Sequence, residues 1–153
     1  MSKITTFLTF ESKGKAAVDC YVSVFKNSKI NYAMTIPGDE HLYSASFTLD
    51  GVDFMAMDAG PNFQFAQGMS LFVSCEDQAE VDHYWTALTA NGGEEGRCGW
   101  LKDPWGVSWQ IVPKQLGQLM GDPDQEKSGR VMQAMLAMNK LDVAGLQAAY
   151  DGK

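Results

Sequence analysis

Residues 43–49 alternate strictly. Tyr43, Ala45, Phe47 and Leu49 are apolar, and Ser44, Ser46 and Thr48 between them are polar. A period of two predicts a strand with one buried and one wet face. Asp50-Gly51 follows, and this pair suits a type I′ hairpin, whose two central residues both need positive φ. A returning strand is predicted from Val52 to about Asp58, before Ala59-Gly60-Pro61. Ahead of the alternating segment, Lys29 to Ile36 reads as a strand closed by Pro37-Gly38-Asp39. Further upstream, residues 4–11 are β-branched and aromatic, and also read as a strand. The pattern then changes to helical spacing. Ala17, Val18, Tyr21, Val22 and Phe25 form one apolar stripe, which predicts a helix from about Lys15 to Phe25 with Ser12 or a neighbour as its cap.

The order strand, helix, strand, strand, strand recurs. Ser70 to Cys75 reads as a strand. Glu76-Asp77 cap a helix from about Gln78 to Asn91, with Val81, Tyr84, Trp85 and Leu88 on one face and Asn91-Gly92-Gly93 as its stop. Strands are predicted near Gly96–Leu101 and Val107–Val112, joined by a turn at Asp103-Pro104-Trp105-Gly106. Val18-Asp19-Cys20-Tyr21 in the first helix echoes Val81-Asp82-His83-Tyr84 in the second. Two readings fit the echo: a true internal repeat, or two helices that each need an apolar stripe. The matched order of elements favours the repeat.

Beyond Pro113 the strand signal ends. Asp122-Pro123-Asp124 starts a helix with Val131, Met132, Met135 and Leu136 at helical spacing, and Asp142 caps a short last helix through Leu146 to Tyr150. The expectation is one domain over residues 1–153. Its modules lie at about 1–62 and 63–113, and a helical tail at 114–153 packs on the domain or on a second subunit.

Composition narrows the function. A 45% hydrophobic and 11% aromatic content in 153 residues fits a packed globule. A formal net charge of -7 argues against nucleic acid or an anionic membrane as partner, since both need a basic footprint. No stretch approaches a membrane span, and the N-terminus lacks the apolar core of a signal peptide. Cys20, Cys75 and Cys98 are odd in number and widely spaced, which points to a reducing cytoplasm rather than a disulfide framework.

Several segments together resemble a known family: Ala17 to Tyr21 with Phe25, Asn27 to Ile30, Phe47 to Gly51, Phe54 to Met57, Arg130 to Leu136 and above all the run from Cys98 to Pro113. They resemble the PhnB-like proteins, some labelled 3-demethylubiquinone-9 3-methyltransferase. These belong to the vicinal-oxygen-chelate superfamily of glyoxalase I, extradiol (dihydroxybiphenyl-type) dioxygenases and the bleomycin- and fosfomycin-resistance proteins. The resemblance covers nearly the whole chain. It implies an α+β fold of two βαβββ modules forming a cup-shaped mixed sheet, with the C-terminal helices appended, and a homodimer.

In superfamily metalloenzymes, four strand-end ligands, usually His or Gln, Glu, His and Glu, bind one divalent ion in the cup. Carried onto this chain, the positions fall at Thr6, counted back from Tyr21, at Ser70, at Gln110, counted on from Asp103, and near Ala56–Asp58, where Asp58 is the one hard donor. Thr and Ser hydroxyls are poor ligands for Zn²⁺, Fe²⁺ or Ni²⁺. His41 opens a strand after a loop, His83 lies in a helix, and neither falls on a ligand position. Cys75 and Cys98 are either soft cup ligands or buried inert thiols. The expectation is a chain without a complete metal site and with no cofactor. The methyltransferase label finds no Gly-rich S-adenosylmethionine loop, since Gly92-Gly93 follow a helix instead of opening one.

Placing Gln110 inward turns Ser108 and Val112 the same way. It also implies a cup lined by Thr6, Leu8, Phe10, Ser70 and Phe72, with Trp100 and Trp105 at the rim. Trp100 and Trp105 serve either packing or ligand contact. Asp58 is either a general base or a turn residue before Gly60-Pro61. Three functions stay open: a protein binding a small organic molecule, a metal-dependent glyoxalase- or dioxygenase-type enzyme, and an interaction module working through its C-terminal helices.

Overall fold

A computed structural model of the chain describes residues 2–153, apart from the side chains of Ile36, Glu40 and His41. Among these residues, no helix is long and apolar enough to cross a membrane. Two compact units are present, divided between Phe65 and Ala66.

The first unit runs β1 (Thr6–Phe10), α1 (Gly14–Val24), β2 (Lys29–Ile36), β3 (Asp39–Leu49) and β4 (Val52–Asp58). Its mixed four-stranded sheet has the order β1-β4-β3-β2, with β1 parallel to β4 and the other pairs antiparallel. The strict alternation in residues 43–49 does what the pattern implies. Tyr43, Ala45, Phe47 and Leu49 are buried with Ala17, Val18 and Tyr21 of α1, and the serines lie on the other face. Asp50 (φ 45°) and Gly51 (φ 80°) both take positive φ, as the type I′ turn requires.

One expected detail is overturned. No side chain near Ser12 caps α1: the N-cap is Lys13, in a left-handed conformation and without a capping hydrogen bond. The first helical N–H, of Gly14, instead donates to Asp58 Oδ1 at 2.8 Å, from the far end of β4. A helix N-terminus leaves its first N–H groups without intrahelical partners, and here a distant carboxylate supplies one.

The second unit runs β5 (Leu71–Cys75), α2 (Gln78–Thr89), β6 (Glu94–Glu95), β7 (Trp100–Lys102), β8 (Ser108–Pro113), α3 (Lys114–Met120), α4 (Gln125–Leu136) and α5 (Val143–Asp151). Its sheet order, β5-β8-β7-β6, repeats the first, again with the outer pair β5 and β8 parallel. The matched topology favours the repeat over the coincidence of two apolar stripes. Asp77 caps α2 by accepting from Glu80 N at 2.9 Å, and Glu80 reaches back to Glu76 N at 2.8 Å.

The strand expected near Gly96–Leu101 is shorter and displaced. Gly96 N bonds back to Trp100 O at 2.8 Å, and Cys98 and Gly99 both have positive φ. The N–H groups of Cys98 and Gly99 go to Met138 O and Asn139 O of the tail, not to a neighbouring strand. Backbone groups with tertiary partners leave no ladder to extend, so β7 begins only at Trp100. The helix α3 carries no cap signal that would have announced it.

The tail belongs to the second unit. Leu116, Val131, Leu141 and Leu146 form its core, and Val112 of β8 packs against them. Gln78 of α2 clamps the loop before α5: its Nε2 donates to Leu141 O at 3.0 Å, and its Oε1 accepts from Val143 N at 2.7 Å.

Candidate ligand-binding face

In each unit one sheet face packs on a helix, and the other carries exposed side chains, Phe7 and Met55 in the first and Phe72 in the second. In the first sheet, the register pairs Thr6 with Phe54, Leu8 with Ala56 and Phe10 with Asp58. Leu8, Phe10, Phe54, Ala56 and Asp58 are all buried, and Phe10 and Asp58 lie against Gly14 of α1. Thr6, Leu8 and Phe10 therefore face the helix, not an open cup. The cause is local: the segment Thr6-Phe7-Leu8-Thr9-Phe10 puts an aromatic on both faces, and a one-residue slip exchanges the faces. Phe7 (47% exposed) and Met55 (42% exposed) stand on the open side.

Asp58 changes role for the same reason. It is 1% exposed and spends one oxygen on Gly14 N. Tyr43, buried beside it, has a hydroxyl without a hydrogen-bond partner among the described residues, and its pKa is raised by burial, then by the charges of Asp19 and Asp58.

In the second sheet the pleat puts Gln110 and Trp109 on opposite faces, as the alternation predicts. Gln110 pairs across the strands with Phe72 on one side and Trp100 on the other, so the three share a row. Cys75, Leu101, Trp109 and Ile111 are buried on the opposite face, towards Val81, Trp85 and Leu88 of α2. Phe72 is 60% exposed. Gln110 Nε2 donates to Ser70 Oγ at 2.9 Å, which brings the two carried-over positions of this half together. That bond uses one of the amide's two N–H groups and leaves the other and the carbonyl for a further partner. Val112, on the same face, is packed against the tail, which borders the face at that end.

Trp105 lies in the turn, beyond the Lys102–Ser108 pair and away from the Gln110 row. The buried Asp103 builds that turn, accepting from Trp105 N and Val107 N at 3.0 Å each and from Trp109 Nε1 at 2.9 Å. Lys102, two residues on from Trp100 and paired with Ser108, also stands on the Gln110 face. The period of two counted on from Trp100 would have found it on the open face.

Thr6 and Asp58 turn to α1, and Ser70 with Gln110 supplies a hydroxyl and an amide rather than imidazole, thiolate or carboxylate. Among the described residues, no three His, Cys, Asp or Glu side chains stand together as a metal would need. His83 is exposed on α2 against the Tyr84 ring, and the His41 side chain lies outside the described residues. Burial, chiefly, pushes the Cys75 thiol up to about 12, so it is held as an inert thiol. Cys98 lies in the turn bonded to the tail.

The model of the 3-demethylubiquinone-9 3-methyltransferase family matches residues 2–112. The chain belongs to this family. A solved PhnB protein of Bacillus cereus, described by the same methyltransferase name, is 37% identical over 73% of this chain and 99% of its own, with a TM-score of 0.66. Protein PA1353 of Pseudomonas aeruginosa shares the fold at 18% identity, covering 74% of this chain and 98% of its own, with a TM-score of 0.59. The fosfomycin-resistance protein FosX of Listeria monocytogenes, solved with Mn(II) and sulfate, shares it at 17% identity, over 71% of this chain and 89% of its own, with a TM-score of 0.52. No curated protein matches the chain. The PhnB-like family and the vicinal-oxygen-chelate fold are thus settled together, and the matched span ends with β8, before the tail.

Proposed function

We propose that the protein binds a small organic molecule on the open face of its second sheet, without a complete superfamily metal site. One observation carries the reading. An amide with spare hydrogen-bonding capacity, Gln110, sits between an exposed phenyl ring and an indole, Phe72 and Trp100, on a sheet face that its own helix does not cover. An apolar, aromatic surface with a few placed polar groups is the usual make-up of a small-molecule site. The donor chemistry of Ser70 and Gln110 supports the metal-free part. The four-stranded mixed sheets, with no Gly-rich loop opening a helix, offer no support for a methyl transfer from S-adenosylmethionine.

A fluorescence screen of aromatic and hydroxylated metabolites tests the reading, with Trp100 as reporter. Leaving a buried amide partner unpaired costs about 1–3 kcal/mol. Gln110→Ala is therefore expected to weaken binding about 5- to 150-fold and to leave the fold intact. A change in melting temperature with unchanged affinity would assign Gln110 to the Ser70 contact alone. Elemental analysis is expected to find little Zn, Ni or Fe. One metal per chain, lost in Gln110→Ala, would overturn the metal-free reading.

A further inference from the structure

We infer that the ligand is a planar aromatic carboxylate, an inference that rests on the binding face proposed above. The face has two rows. One is aromatic, Phe72-Gln110-Trp100. The next is polar. Lys102 pairs with Ser108, and Ser70 precedes Leu71, the partner of Trp109, so Ser70, Ser108 and Lys102 stand side by side. Adjacent rows on one face are about 7 Å apart, the scale of one aromatic ring and its carboxyl substituent.

Two observations point to an anion. Ser108 is only 4% exposed and shares this face with Ser70 and Lys102. Its hydroxyl is a donor that a ligand acceptor over the row can use. Lys102 brings a cation to the face of a chain whose net charge is -7. Its one described carboxylate is Glu94, 3.9 Å away and 73% exposed at the far edge strand. A pair so loose and solvated holds the ammonium weakly, and a carboxylate seated over Ser70 and Ser108 competes for it. Flat rings suit the neighbouring row, because offset or edge contacts with Phe72 and Trp100 tolerate many ring substituents.

The test compares 2-naphthoate with its neutral counterpart 2-naphthalenemethanol, titrated into the full chain and followed by indole fluorescence. Wild type is expected to prefer the carboxylate by up to about fivefold, the upper range of an exposed charge pair. Lys102→Gln is expected to collapse that ratio towards one. Trp100→Leu is expected to weaken both probes about 3- to 10-fold, with thermal melts confirming that each variant is folded. Equal affinity of wild type for both probes, or an unchanged ratio in Lys102→Gln, overturns the carboxylate assignment. Trp100-dependent binding in that same outcome keeps the face as a ligand site. No binding of either probe up to millimolar concentration also overturns the assignment, and the broad metabolite screen then decides the site alone.

Discussion

Asp58 should hold α1 in place, not catalyse. Its carboxylate is 1% exposed and bonds the Gly14 N–H at 2.8 Å, at a helix whose own N-cap residue contributes no side chain. A hydrogen bond to a charged group contributes about 1.5–3 kcal/mol, and an anion at a helix N-terminus about 0.3–1 kcal/mol. Asp58→Asn keeps an oxygen acceptor but loses the charge, so a loss of about 1–2 kcal/mol is expected. Asp58→Ala also orphans the N–H and opens a void, for a loss of about 2–4 kcal/mol. Gly14→Ala probes the same contact from the other side, because a Cβ there would lie 2.6 Å from Asp58 Oδ1 and must displace it. Urea unfolding of the two single variants and the double variant measures the coupling. The two losses are expected to be strongly non-additive, since once Asp58 is Ala the clash no longer exists. Ligand affinity should follow none of these changes. Asp58→Asn at full stability, with binding lost, would return Asp58 to the site and refute the anchoring argument.

Three further outcomes follow from the same geometry. With its pKa pushed up to about 12, chiefly by burial, Cys75 should resist alkylation by iodoacetamide at pH 8 in the folded protein, and Cys20 and Cys98, both partly exposed, should react, as read by mass spectrometry; early labelling of Cys75 would mean that β5 opens. The docking of α4 and α5 should loosen in acid, because Tyr150 holds the Asp122 carboxyl, and Lys140 chiefly the Asp82 carboxyl, below the ordinary range. A lowered folded-state pKa gives stability that is complete above the unfolded value, about 4, and is lost as pH falls through the folded one; hydrogen exchange of the tail from pH 6 to 3 checks this, and a flat profile counts against it. The protein should also form a homodimer, since Met132 and Leu136 stand 44% and 47% exposed on α4, with Phe7 and Met55 on the open face of the first sheet; a monomer in sedimentation at high micromolar concentration would reject this.

The fold was readable where local and tertiary demands agree. β2 and β4 occupy the expected spans, and Asp77, Asp124 and Asp142 cap their helices, because alternation, turn chemistry and capping are written in neighbouring residues. Failures cluster where a distant partner decides. The α1 cap comes from Asp58, and the Cys98-Gly99 turn is held by Met138 and Asn139. No window of sequence around Ser12 or Gly96 contains those partners.

The same distinction divides the site. In β8, Trp109 and Ile111 are large and apolar while Ser108 and Gln110 are polar, so the pleat has one possible orientation and Gln110 must face away from α2. Ser70 and Phe72 then follow through the parallel register. In β1, Phe7 competes with Leu8 and Phe10 for the core, and the choice is made by partners: Phe10 meets the Phe65 ring at 5.1 Å and lies under Gly14, where a phenyl group at position 7 cannot reach. Counting back from Tyr21 passed through the turn at Glu11–Lys13, where a family offset is only as good as the turn length it assumes. A face defined by strand alternation survives such an error when polar and apolar residues separate cleanly. It does not survive when both faces are aromatic. For that reason the second sheet, not the first, carries the functional proposal, and Gln110, Trp100 and Lys102 are the residues on which it should be tested.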